Sequence, residues 1–147
     1  MEYVIVGGLA VVLHGHARLT TDLDAVVHLT DANAAKAVTV LTSLGFKPRA
    51  PVNPLDFADP IKRAYWIKEK NMRVFSFYTD QAPLFDVDLF VEHPRNFDDL
   101  YQGSVMKELG KLNVRVCGLD HLIQMKEESG RPKDLEDVRV LRLIKNG

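Results

Sequence analysis

Residues 3 to 29 constrain this chain more than any other stretch. An apolar β-branched run, Tyr3 to Val6, meets Gly7-Gly8; a short apolar segment closes at Gly15; Arg18-Leu-Thr20-Thr-Asp22-Leu-Asp24 then enters a second apolar run. The pattern predicts strand, tight turn, helix, loop, strand. Glycines where a strand hands over to a helix leave bare backbone N–H groups open to a large group, and an anion suits that position. Asp22 and Asp24, two apart on a strand, leave the same face of a sheet. Two convergent carboxylates suit a hard divalent cation such as Mg²⁺.

Thirteen residues, 9 to 21, separate Gly8 from Asp22. With Gly-Gly and Asp-x-Asp at its ends, this spacing resembles the signature of the nucleotidyltransferase superfamily that includes DNA polymerase β. The fuller form, Gly-Gly-x-Ala-x4-Gly-x2-Arg-x-Thr-x-Asp-x-Asp, is similar to small bacterial nucleotidyltransferases related to abortive-infection toxins. The resemblance implies an α/β (α+β) fold: a nucleotidyltransferase-like mixed sheet with flanking helices and a C-terminal helical pair. It implies Mg²⁺ or Mn²⁺ as cofactor and a nucleoside triphosphate (NTP) as substrate. Gly7, Gly8, Arg18 and Thr20 then fall on the nucleotide, and Asp22 and Asp24 on the metal.

Composition narrows the partners. The 147 residues, with 19 basic and 20 acidic side chains, carry a net charge of −1, which leaves no footprint for non-specific binding to long nucleic acid. The single cysteine, Cys117, excludes an internal disulfide framework and fits a reducing cytoplasm. No apolar run approaches the roughly 20 residues of a membrane span. The expectation is one cytoplasmic domain over 1–147, with a core at about 1–92 and a hairpin and helices at about 93–147. The resembling families usually carry a helix before the first strand. Its lack here predicts a sheet edge covered by other means, such as a second subunit, or a sequence that is part of a longer chain.

Further elements follow from caps and breakers. Helices are expected over Leu9–His14, Ala34–Leu44 with Asp31 as N-cap, and Pro60–Lys70 behind Asp59 and ended by Asn71. Later helices are expected over Asn96–Gln102, Asp120–Glu128 and Asp134–Ile144. Prolines 48, 51 and 54 make 46–59 a loop. Strands are expected over Asp22–Leu29, Met72–Tyr78 and Leu84–Val91, with a hairpin of Val105–Leu109 and Leu112–Val116. In the last helix Leu135, Val138, Leu141 and Ile144 form one apolar stripe.

An isolated Asp-x-Asp is weak evidence, since thirteen aspartates produce about one by chance; its place after a glycine turn gives it weight. Phe85-Asp86-Val87-Asp88-Leu89-Phe90-Val91 repeats the arrangement, with Asp86 and Asp88 on one face. Strand register decides between them. The resemblance favours Asp88 as the third catalytic and metal-binding carboxylate, with Asp86 as its substitute. It implies two-metal transfer of a nucleoside monophosphate to a tRNA, a small molecule or a protein, in an enzyme of toxin–antitoxin or resistance type. In the tail, Lys126 falls on the triphosphate, whereas Arg131, Lys133 and Asp134 read more simply as solvated cations and a helix cap. Arg18 reads equally as a phosphate contact or a brace for Asp22. Arg63 and Trp66 read as surface and core rather than as a base pocket. Cys117 reads as buried, and the five histidines show no metal spacing. A homodimer or antitoxin partner is left open. The alternative is a catalytically inactive nucleotide-binding or partner-binding module with the same fold.

Overall fold

The computed structural model describes residues 1–147. Seven strands form one mixed sheet in the order β3-β4-β5-β2-β1-β7-β6. They are β1 (Tyr3–Val6), β2 (Asp22–Val27), β3 (Lys47–Pro48), β4 (Val74–Tyr78), β5 (Asp86–Phe90), β6 (Val105–Leu109) and β7 (Leu112–Val116). The helices are α1 (Gly7–Leu13), α2 (Asp31–Ser43), α3 (Pro60–Lys70), α4 (Phe97–Gln102), α5 (Leu119–Ser129) and α6 (Pro132–Asn146). No helix is long and apolar enough to cross a membrane.

Local chemistry sets the element ends. Asp59 accepts from the Ile61 and Lys62 N–H groups at 2.9 and 3.4 Å, with Pro60 at the first helical position, so α3 starts where the cap satisfies otherwise orphaned donors. Asn71, at φ 50°, closes it in the left-handed conformation. At α2 the cap is Thr30, whose hydroxyl accepts from Asn33 N–H at 3.3 Å; Asp31 is the first helical residue instead. The segment expected as loop contains β3 and a 3₁₀ turn over Pro54–Ala58. A fixed proline φ suits the start of that turn, and Arg49 N–H bonding Ser76 O at 2.9 Å continues the edge pairing of β3 with β4.

Both faces of the sheet are covered. On one, Ala25, Val27, Phe75, Phe77, Val87 and Leu89 pack against Ala34 and Val38 of α2, Phe57 and Trp66. On the other, Val4, Val6 and Val26 pack against Val11 of α1, Leu100 of α4, Leu122 of α5 and Leu141 of α6. The alternation in β2 and β5 therefore separates two cores, and the second core gives way to carboxylates only at the start of each strand.

Three further expectations change. Strand β1 is not an edge: β2 lies antiparallel on one side and β7 parallel on the other, so this chain's own hairpin occupies the position in question. In α6 the buried side chains are Asp134, Asp137, Val138 and Leu141, while Leu135 is 52% exposed. Two carboxylates thus replace part of the predicted apolar stripe, because cations face them from α5 and the β1–β2 connection. Arg63 is buried rather than at the surface, donating to Phe57 O at 2.6 Å, and Trp66 stacks on Phe75 with ring centres 5.0 Å apart.

Candidate active site

Strands β2 and β5 run parallel with Asp22 level with Asp86 and Asp24 level with Asp88. Parallel in-register pairing is what brings carboxylates from two sequence-distant strands side by side, since residues of matching register share a face. The two pairs differ in what they meet. Asp86 accepts from Arg49 Nε and Nη2 at 2.7 Å each, a bidentate pair that holds its carboxyl below the usual range. Both Asp86 oxygens are thereby engaged, and the Arg49 guanidinium lies 5.1 Å from the centre of the Tyr78 ring.

Asp24 and Asp88 have no such cation. Burial comes first, followed by the neighbouring Asp88 carboxylate and Asp22, in raising the Asp24 pKa from 3.8 to about 6, with Lys126 pulling weakly the other way. Asp88 Oδ1 is buried without a hydrogen-bond partner. An orphaned buried carboxylate oxygen beside a second carboxylate is costly unless a cation or a proton joins them. Asp22, at the exposed start of β2, flanks this pair, and no three His, Cys, Asp or Glu side chains are gathered closely enough to ligate an ion together.

The glycine turn has two functions. Gly7 lies at φ +68°, and a Cβ there would stand 2.2 Å from Asp24 Oδ2, so the absence of a side chain makes room for the carboxylate itself. Gly8 has ordinary backbone geometry. A Cβ on it would meet Thr20 Oγ1 at 2.8 Å and Arg18 Nη2 at 3.0 Å, so side chains of the β1–β2 connection cover its open face.

Arg18 braces neither Asp22 nor open space. Its Nε and Nη2 donate to Asp137 Oδ1 and Oδ2, both at 2.9 Å. Lys126 Nζ reaches Asp137 Oδ2 at 3.1 Å and Asp134 Oδ1 at 3.2 Å. Arg131 joins through Nε to Asp134 Oδ2 at 2.7 Å, while the Arg131 N–H is received by the same carboxylate as a helix cap. Burial by itself would raise the Asp134 pKa, but Arg131 and Lys126 outweigh it and hold the group below its ordinary value. Three cations and two buried carboxylates thus form one chain of ion pairs. The tail Lys126-x4-Arg131-x-Lys133-Asp134-x2-Asp137 resembles a helix-loop-helix of the same small nucleotidyltransferases, but its pattern assigns Asp137 no role and reads Asp134 as a helix cap; nothing in the sequence marks Arg49.

Between the sheet and α5 lies a cavity of about 610 Å³, with Gly7, Asp24, Arg73, Lys126 and Arg131 among its polar lining and Val74, Phe90 and Met125 among its apolar walls. Three cations and two carboxylates, Asp24 and Glu128, beside apolar side chains can hold a phosphorylated, partly flat molecule.

Comparison with known proteins agrees with this architecture. A crystal structure of an antigenic nucleotidyltransferase-like protein from Paracoccidioides brasiliensis superposes with a TM-score of 0.57 at 16% identity, over 95% of this chain and 66% of that one. The likeness is one of fold, and this chain spans just under two thirds of that protein's length. No curated protein matches the sequence. Residues 1–146 match the family model described as nucleotidyltransferase of unknown function (DUF6036), and the chain belongs to that family.

Proposed function

We propose that the protein is a Mg²⁺-dependent nucleotidyltransferase that moves a nucleoside monophosphate from an NTP to an acceptor hydroxyl. The observation that carries this reading is the Asp24–Asp88 pair: two level carboxylates, one with its pKa raised to about 6, the other with a buried oxygen lacking any partner. That donor set fits a hard divalent cation, with Asp24 and Asp88 as its holders and Asp22 beside them. Mn²⁺ would serve in the same position. Such an ion supplies neutralisation of charge on the phosphates and a lowered pKa for the attacking oxygen.

The residues of the chain account for the remaining tasks. Lys126 and Arg131 line the cleft as cations already fixed by Asp134 and Asp137, so they meet a triphosphate without first being ordered. Gly7 exposes backbone at the same wall. Arg18 and Thr20 act at the site by covering Gly8 and positioning the turn. Asp88 also takes the hydroxyl proton as the oxygen attacks the α-phosphorus and pyrophosphate departs. The acceptor class is a tRNA, a small molecule or a protein, in an enzyme of toxin or resistance type.

A second reading, a nucleotide-binding module without turnover, draws on one specific observation: the carboxylates stand as pairs rather than as a gathered trio. The two are separated by incubating the protein with Mg²⁺ and each α-labelled NTP in the presence of a tRNA pool and a small-molecule panel. Label transfer with pyrophosphate release, lost in Asp24→Asn and Asp88→Asn, supports the enzyme. Saturable NTP binding with no transfer to any acceptor supports the module.

A further inference from the structure

A second crevice, of about 480 Å³, opens where the end of α4 meets the first turn of α5. We propose that it is a binding site for a phosphate group, separate from the carboxylate cleft and independent of whether that cleft transfers nucleotides.

Its position follows from the sheet. Strands β1 and β7 are parallel, Ile5 is level with Val116, and Cys117 N–H donates to Ile5 O at 2.9 Å. The exit of β7 at Gly118 therefore stands beside the exit of β1 at Gly7, and each strand passes through glycine into a helix. Crevices outside the carboxyl ends of parallel strands are where open α/β sheets receive ligands.

Its lining is cationic and donor-rich. Lys107 and Lys145 both border it, and its only carboxylate, Asp120, is held by Lys145 at 2.5 Å. The first turn of α5 forms one wall, and its N-cap, Gly118, offers no side chain to the free N–H groups. A Cβ at Gly118 would fall 2.3 Å from Gly103 O, so close approach of two backbones keeps that wall bare.

Two imidazoles complete it. His121 borders the crevice with its Nδ1 buried and unpartnered, so the fold leaves one polar atom there without a bond. His14 has its Nε2 2.7 Å from Cys117 O, which fixes the ring as a donor through that nitrogen. Burial and then Lys107 hold the His14 pKa below its ordinary value, so Lys107 already imposes a positive field on this ring. A phosphate answers the charged features: it brings Lys107 a counter-charge, offers acceptors to the α5 turn, and competes with Asp120 for Lys145, with the His14 and His121 rings bordering it.

The test titrates the ¹⁵N-labelled full chain with inorganic phosphate while following the imidazole nitrogens of His14 and His121, with calorimetry for affinity. Saturable binding that moves both rings is expected. Lys107→Ala and Lys145→Ala should each weaken it by about fivefold to tenfold, and Asp120→Asn should tighten it by freeing Lys145. Arg131→Ala, which removes a cation from the transfer cleft, should leave it unchanged, which separates this site from that cleft. A short single-stranded RNA distinguishes the source of the phosphate. Binding about tenfold tighter than phosphate and displaced by it identifies a nucleic-acid backbone; weaker binding identifies a small phosphorylated compound. Rings unmoved at millimolar phosphate, or binding that persists undiminished when both lysines are replaced, would overturn the proposal.

Discussion

Asp137 receives Arg18 through both carboxylate oxygens across 119 positions of sequence, and one of those oxygens also receives Lys126. This carboxylate ties the β1–β2 connection, α5 and α6 into one unit behind the glycine turn. Removing one member of a buried ion network leaves the others charged and unpaired, which costs more than the network itself contributes. Asp137→Ala should therefore destabilise the fold by about 3–5 kcal/mol, read as a lower urea midpoint. Loss of less than about 1 kcal/mol would place Asp137 among weak surface pairs.

Asp24 governs a pH dependence of stability in the metal-free protein. Its folded pKa of about 6 lies above its ordinary 3.8, so folding favours the protonated form. The stability it contributes is fully present below about pH 4 and is lost as pH rises through about 6. Metal-free Asp24→Asn should then exceed the wild type by about 2–3 kcal/mol at pH 7.5, with the difference vanishing toward pH 4. Urea melts in EDTA across that range check it, and a variant no more stable at pH 7.5 would contradict the raised pKa.

Gly7 and Gly8 should respond differently to substitution. Gly7→Ala places a methyl group 2.2 Å from Asp24 Oδ2 at a positive φ, so it should displace the carboxylate and lower stability by about 1–2 kcal/mol. Gly8→Ala meets Thr20 Oγ1 at 2.8 Å and the Arg18 Nη2 that Asp137 holds, so it should loosen that ion pair and lower stability while leaving the Asp24 carboxylate in place. Thermal melts read stability, and Mg²⁺-dependent calorimetry with NTP reads the carboxylate, with binding reduced only in the Gly7 variant.

Asp86 and Asp88 repeat one sequence pattern, yet only Asp86 has a guanidinium across both oxygens. Asp88→Asn should abolish Mg²⁺-dependent NTP binding, whereas Asp86→Asn should retain it and leave the melting temperature nearly unchanged, as an exposed pair implies. The reverse order of effects would make Asp86 the ligand and require Arg49 to swing away.

Strand β2 shows how far the chain could be read without coordinates. Alternation of Leu23, Ala25 and Val27 with Asp22 and Asp24 is a local property of an extended backbone, and the sheet has it. Helix α6 shows the limit. Its predicted stripe included Leu135, which faces solvent, while Asp134 and Asp137 are fully buried. A carboxylate enters a core only when cations meet it there, and those cations come from Arg18 and Lys126, far away in sequence.

The order of residues by itself determined the longer helices and strands, both ends of α3, the glycine turn and the two carboxylate strands, because each depends on neighbours within a few positions. Tertiary structure alone decided that β2 and β5 pair in parallel with Asp24 beside Asp88, that Arg49 claims Asp86, and that β7 lies against β1. Register and ion pairing between distant segments are set by how two cores close over one sheet, a condition on the whole chain that no local pattern encodes.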